Sequence, residues 1–460
     1  MISWTLERLR EATSGRLSGG APSLPITGLT IDSRRLKPGE AFVAICGLRF
    51  DGHDFLPEAV QRGASCLIVS KPPPVPLPVP ILHVPDTTQA LGELAAFHRA
   101  QFAIPVIAVT GSCGKTTTKE LIADLLAPTH RVLKTHGTQN NHIGLPLTLL
   151  QLAASHQVAV VELGSNHPGE IAYLARIARP TIAVITNVGP AHIGFFGSLR
   201  AILQEKLSLV AALGDHGLVI VPGDQLEVLL EAKARRRPGT TLLTFGTSHH
   251  CGVQGLDIRR SADGFTMQVR DAAGVFTVPL PGSHNVENAL AALACVRALG
   301  VPLESIREPL RRFQALPLRS QLLQANGLTI LNDCYNANPL SFARALEVLQ
   351  DLPVRRKVVV VGDMLELGEM APAAHQAIGR LAAEVGVQLV IGVGQFADDV
   401  AKGAVEVDHT QTVTCRTVDD LERVLPSLVQ EGDGLLIKGS RKLQLERVAE
   451  ALLRGGVHAV

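Results

Sequence analysis

The sequence predicts an α/β protein of three domains: a small N-terminal α/β domain, a central doubly wound domain and a Rossmann-like C-terminal domain. Three observations carry this expectation. The chain has 460 residues, enough for about three domains of ~150 residues each. Between 101 and 314, apolar strand-like runs alternate with helical stretches, the signature of a parallel sheet covered on both faces. From 315 onward the alternation restarts. The expected divisions are therefore 1–100, 101–314 and 315–460.

The elements follow in chain order. Residues 71–85 hold prolines at nearly every second position, which excludes a helix and favours an extended connection or an edge strand. A helical stretch over 88–101 leads to the apolar run 105–109. Further buried parallel strands are expected at 158–163, 182–186, 218–221 and 242–245. Short alternating runs near 255–260, 265–270 and 275–280, separated by Asp263-Gly264 and Ala273-Gly274, read as an antiparallel addition. In the third block, strands are expected at 328–332, 357–361, 389–393 and 435–438. Helices are expected at about 340–351, 372–385, 416–430 and 443–454. This block has no G-x-G-x-x-G after its first strand, so no dinucleotide is assigned to it.

Composition excludes several classes. Net charge is +1 and aromatics are 3%, which leaves no electrostatic or stacking case for nucleic acid. No apolar run reaches membrane-spanning length, and the first residues lack the layout of a signal peptide. The seven cysteines are scattered and form no C-x-x-C pair. A disulfide framework or zinc site is not expected, and a cytoplasmic setting fits.

The most informative segment is Thr110-Gly-Ser-Cys-Gly-Lys-Thr-Thr-Thr-Lys119, directly after the run 105–109. A buried strand that breaks into a Gly-Lys-Thr turn and then a helix aims backbone N–H groups at one point. The helix start adds partial positive charge there. Gly111 and Gly114 let the chain approach a phosphate, Lys115 adds a point charge, and Thr116 offers a hydroxyl to Mg²⁺. Ser112, Cys113 and Thr117 complete the cradle. The usual G-x-x-x-x-G-K-[ST] spacing is shortened, because position 109 is Val. A nucleoside triphosphate is the expected ligand.

Triphosphate chemistry requires metal, and metal requires further oxygen ligands. Glu162 ends an apolar strand, where a carboxylate is costly unless a cation or donor meets it. The readings are a Mg²⁺ ligand or a solvated strand end. His192 follows the next strand and reads as a second metal or substrate contact. Asn285 and Asn288 lie one turn apart at the start of a long helix, and their amides suit a purine edge. Helix capping by Asn285 is the alternative. Asp333 follows a strand and is either a ribose ligand or a turn residue. Lys206 lies in a helical stretch and on composition reads as an exposed lysine. The Cys113 thiol, near a helix start and Lys115, is either oxidant-sensitive and protected by ATP, or turned inward and inert.

These pieces together resemble the Mur ligases, cytoplasmic enzymes that build the peptide stem of peptidoglycan. The resemblance covers about residues 25–445. Four segments point to the branch that adds D-alanyl-D-alanine to UDP-N-acetylmuramoyl-tripeptide: Asp32-Ser-Arg with the run 47–55, Asn140-Asn-His-Ile-Gly-Leu-Pro-Leu-Thr148, Asp333-Cys-Tyr-Asn-Ala-Asn-Pro339 and Gly362-Asp-Met-Leu-Glu-Leu-Gly-Glu369. The Asp-Asn-Pro-Arg typical of the diaminopimelate-adding sister is absent.

The resemblance implies an ATP-dependent acid–D-amino-acid ligase working through an acyl phosphate, with ATP, two Mg²⁺ and a UDP-binding first domain. Lys115, Thr116 and Glu162 would serve the phosphates and first Mg²⁺. Asn140, Asn141 and His192 would serve the substrate and second metal. Lys206 would be the lysine that carries a CO₂-derived carbamate. Asn285 and Asn288 would meet the adenine, with Arg319 and Asp333 closing over the nucleotide. Ser33 and Arg34 would seat the UDP end, and Asn336 and Asn338 the dipeptide region. A monomer with large rigid-body domain motion is expected. Rival readings are another amide ligase of the same fold, such as folylpolyglutamate synthetase, or a non-catalytic nucleotide switch.

Overall fold

A computed structural model describes residues 4–47, 49–261, 264–407 and 409–454. Leu48 of the 47–55 segment and Asp263 of the expected turn lie outside the described residues.

The chain folds as three α/β domains, each around its own sheet. The first holds a five-stranded sheet in the order Arg16–Ser18, Ile81–His83, Cys66–Val69, Ala41–Val43, Leu29–Thr30. Ile81–His83 pairs antiparallel with Arg16–Ser18 and parallel with Cys66–Val69, so it is an interior strand and not an edge. The prolines cause no conflict, because they flank the three paired residues instead of interrupting them.

The central sheet has nine strands. Its parallel part runs Thr241–Gly246, Leu218–Pro222, Ile182–Ile185, Val106–Thr110, Val158–Glu162, Val132–Lys134. Val106–Thr110 is buried on both faces. Ile107 and Val109 enter one apolar cluster, and Val106 and Ala108 the other. That double burial explains why the strand reads as an unbroken apolar run. The antiparallel addition is present as Val253–Ser261, Gly264–Val269 and Val275–Val278.

The third sheet runs Gln321–Ala325, Leu328–Asn332, Asp433–Lys438, Arg356–Gly362, Leu389–Val393, Gln411–Cys415. Its two outer strands were not expected. The first has its leucine pair bracketed by two glutamines and the second alternates Gln and Thr with Val and Cys, and both are only partly buried, so neither makes a sharp apolar run. The helix Ala397–Ala404 was also missed. Among the described residues, no helix is long and apolar enough to cross a membrane. All seven cysteines are free.

Candidate active site

The cradle forms at the carboxyl end of Val106–Thr110, between Val158–Glu162 and Ile182–Ile185. Ligands of doubly wound sheets bind at this kind of position. Gly114 stands at φ +79°, and a Cβ there would lie 2.2 Å from Asn288 Oδ1. Only glycine fits. The loop is braced from the next strand end: Ser112 N donates to Asn187 O at 2.9 Å and Cys113 N to Asn187 Oδ1 at 3.0 Å. The helix Lys115–Leu126 starts directly behind it.

A cavity of about 480 Å³ opens over the cradle. Ser112 to Thr117, Asn140, Asn141, Glu162 and His192 line it from the central domain, with Asn285 and Asn288 on the helix His284–Ala298. Arg319, Asp333, Asn336 and Asn338 line it from the third domain. Residues more than 200 positions apart thus share one space. Four candidates fall outside this lining. Gly111 packs behind it, its carbonyl accepting from Lys115 Nζ at 2.8 Å. Ser33 and Arg34 belong to the first domain. The Ser33 hydroxyl donates to Glu58 Oε2 at 2.9 Å, and Arg34 pairs with Asp32 at 2.9 Å. Lys206 is the fourth.

Glu162 is 1% exposed. Asn140 Nδ2 donates to its Oε1 at 2.7 Å, and its own N–H donates to Thr135 Oγ1 at 3.0 Å. Its Oε2 is buried with no hydrogen-bond partner. An orphaned buried carboxylate oxygen facing a phosphate cradle fits a divalent cation. Thr116, 5% exposed, lines the same cavity. No group of three His, Cys, Asp or Glu among the described residues is placed to hold a metal. A cation here would need Thr116, Glu162 and ligand oxygens together. Of the two substrate-side asparagines, Asn140 is bonded to Glu162. Asn141 Oδ1 instead accepts from Ile143 N and Gly144 N at the start of the next helix.

Lys206 is 1% exposed, so the surface-lysine reading fails. Its Nζ donates to Ser165 Oγ at 2.7 Å, and Ser165 lines the cavity. Burial, reinforced by the Lys115 charge, pushes its pKa down to about 7. The Lys115 ammonium is also held below the usual lysine range by burial, with Glu162 opposing.

Asn285 does not cap its helix; Ser283 holds that position. Asn285 Nδ2 donates to Pro281 O at 2.7 Å and Asn288 Nδ2 to Asn285 Oδ1 at 3.0 Å. The two amides are on one face as expected, and they brace the helix start. Asp333 accepts from Ser320 N at 2.8 Å and pairs with Lys438 Nζ at 2.5 Å. Asn338 caps the helix Pro339–Asp351. His192 sits at φ +57° and pairs through Nδ1 with Glu366 of the third domain.

Sequence reasoning passed over His284, Tyr335, Arg344 and Lys438, all of which line the cavity. Lys438 was findable: like Glu162, it is a charge ending an apolar strand. Tyr335 lay inside a quoted motif. Arg344 carried no signal, because a helical arginine is ordinarily on the surface.

The fold and cavity define a three-domain α/β protein with a phosphate cradle in the middle domain and a second α/β domain lining the same cavity. Family models match three consecutive stretches: the Mur ligase family catalytic domain over 25–99, the Mur ligase middle domain over 109–296, and the Mur ligase glutamate ligase domain over 318–441. The chain belongs to the Mur ligase family and is an enzyme. It is 37% identical to the UDP-N-acetylmuramoyl-tripeptide–D-alanyl-D-alanine ligase of Escherichia coli, covering 99% of this chain and 100% of that one. Its identity to the Bacillus subtilis ligase of the same name is 34%, over 98% and 99%. The crystal structure of MurF from Acinetobacter baumannii superposes with a TM-score of 0.90 at 34% identity, over 98% and 99%. MurF from Thermotoga maritima in complex with ADP gives 0.83 at 29%, over 94% and 97%. A folylpolyglutamate synthase from Mycobacterium tuberculosis, 19% identical with a TM-score of 0.63, shares the fold.

Proposed function

We propose that this ligase joins D-alanyl-D-alanine to UDP-N-acetylmuramoyl-tripeptide at the expense of ATP, through an acyl phosphate. The observation that carries the reading is the shared cavity: a triphosphate cradle and the third domain's Asp333–Asn338 segment line one space. The names of the full-length relatives supply the substrates. We place the division at 1–100 for the UDP end, 101–314 for ATP and 315–460 for the closing domain. The enzyme acts as a cytoplasmic monomer.

A peptide carboxylate resists an amine because it is negative and has no good leaving group. In this reading a carboxylate oxygen attacks the γ-phosphorus and ADP departs. The neutral amine then attacks the acyl carbon, inorganic phosphate departs, and the ammonium proton passes to solvent. Lys115 and the helix start hold the triphosphate and offset its repulsion of the incoming carboxylate. Thr116 and Glu162 hold Mg²⁺, with Asn141 and His192 toward the substrate and a second ion. Bound Mg²⁺ supplies charge neutralisation between phosphate and carboxylate. Lys206, much of it neutral near pH 7, adds through nitrogen to CO₂ with loss of a proton. A carbamate on Lys206 would replace a cation in the field of Lys115 with an anion able to help hold Mg²⁺. Asn285, Asn288, Arg319 and Asp333 meet the nucleotide, Asn336 and Asn338 the dipeptide region, and Ser33 and Arg34 the UDP end. Domain closure excludes water, which would otherwise hydrolyse the acyl phosphate.

The test is phosphate release from ATP. It is expected to require both UDP-N-acetylmuramoyl-tripeptide and D-alanyl-D-alanine. Release with either one absent, or none with both present, overturns the reading.

A further inference from the structure

Lys119 is a fully buried cation that the chemistry above does not use. It lies one turn beyond Lys115 on the cradle helix and is 0% exposed. Its three ammonium protons have three acceptors: Thr135 O at 2.7 Å, Gly137 O at 3.0 Å and Glu120 Oε1 at 2.5 Å. A buried ammonium is tolerated when it is saturated in this way.

The carbonyls it grips belong to the segment that sets Glu162. Thr135 Oγ1 accepts from Glu162 N at 3.0 Å. Five residues on, Asn140 Nδ2 donates to Glu162 Oε1 at 2.7 Å, and Asn140 O accepts from Gly164 N at 2.9 Å. Thus one ammonium on the cradle helix fastens Thr135, which holds the Glu162 backbone, and Gly137, three residues before the Asn140 that holds the carboxylate. The unpartnered Glu162 Oε2 is what that arrangement leaves over.

We propose that Lys119 is a positioning residue: through the 135–140 segment it fixes the Glu162 carboxylate toward a divalent cation held with the nucleotide at the cradle. This rests on the reading of Glu162 as a metal ligand. It needs no assumption about the peptide substrates. A neutral side chain at 119 would strand the buried Thr135 carbonyl, lose the bond to Gly137 O and release the segment.

The experiment is Mn²⁺ titration followed by electron paramagnetic resonance, with a non-hydrolysable ATP analogue and no peptide substrate. Metal-free binding of the analogue is measured alongside by calorimetry. Lys119→Met is expected to weaken Mn²⁺ binding in the nucleotide complex by roughly tenfold, the usual cost of losing an outer support. Metal-free nucleotide binding is expected to change by less than about threefold, and Lys119→Arg to recover part of the loss. Thr135→Val removes the hydroxyl but keeps the gripped carbonyl. It is expected to weaken Mn²⁺ by about threefold, and it tests the proposal even if Lys119→Met does not fold. Unchanged Mn²⁺ affinity in Thr135→Val, or parallel losses of metal and metal-free nucleotide in a folded Lys119→Met, overturns the proposal. A parent protein that binds nucleotide without Mn²⁺ overturns the metal reading of Glu162 itself.

Discussion

The Tyr335 hydroxyl lies 2.5 Å from Thr138 Oγ1, so the third domain is tied to the central one across 197 residues of sequence. The Arg319 guanidinium stacks on the same Tyr335 ring at 3.9 Å from its centroid. Other ties run in parallel. Gly194 N donates to Glu366 O at 3.0 Å, and Arg344 pairs with Glu287 at 3.1 Å. Tyr335→Phe keeps the ring and the stack and removes one bond worth about 1 kcal/mol. The KM for ATP is expected to rise about fivefold, with an unchanged circular dichroism spectrum. Small-angle scattering is expected to report less compaction on adding nucleotide and substrate than in the parent. A parent profile that ligands leave unaltered would count against domain closure altogether.

Lys206 combines full burial with the neighbouring Lys115 charge. Lys206→Ala is expected to lose turnover by roughly a hundredfold, and short-chain carboxylic acids should restore part of it by supplying the missing anion. Failure of every acid tried, in a variant that still binds ATP, would argue against the carbamate. Lys206→Met should be inactive yet more stable by about 1–3 kcal/mol, because a desolvated ammonium is replaced by an apolar chain of similar length. Urea midpoints measure that difference.

Much of this site was legible because it sits where regular elements stop. Gly114, Lys115, Thr116 and Glu162 each end or begin an element whose apolar pattern is unambiguous, so their common location followed from the parallel topology. Leu328–Asn332 and Leu389–Val393 were legible for the same reason. What stayed hidden depends on tertiary contact. Neither the burial of Lys206 and Lys119 nor the hydrogen bond from Asn140 to Glu162 leaves any trace in local spacing. Arg344 and Tyr335 matter because two domains meet there. Gln321–Ala325 is paired along one side by Leu328–Asn332, and pairing supplies what its weak pattern lacks.

His284 gives the site a pH signature. Its Nδ1 is buried without a partner, and the ring lies among Arg344, Lys438 and Asp333. Burial, aided by Arg344, pushes its pKa down to about 4. The unfolded chain takes up this proton near pH ~6.5. Between these two values the unfolded state binds more protons, so stability must fall as pH drops from about 6.5 toward 4. From pH 7 to pH 5, His284 is expected to account for about 1–2 kcal/mol of lost stability. His284→Asn should flatten that part of the profile. Equal losses in parent and variant would mean that the histidine titrates normally in the folded protein.

Cys113 offers a direct probe of where nucleotide binds. It lies in the cradle, is half-buried, and its Sγ is 3.6 Å from the Asn338 side chain. Five other cysteines are buried, and burial raises the Cys66 thiol to about 12 and Cys251 to about 11. Alkylation of the native protein should therefore fall on Cys113 and on the exposed Cys46. With MgATP at about ten times its dissociation constant, occupancy of the cradle should slow alkylation of Cys113 roughly tenfold. Cys46, in the first domain, should react at the same rate throughout and so corrects for loss of reagent. Mass spectrometry of the digested protein reads both sites in one sample. Equal slowing of both would indicate global tightening. No slowing of Cys113 would place the nucleotide away from residues 111–116 and remove the basis for every role assigned to the cradle.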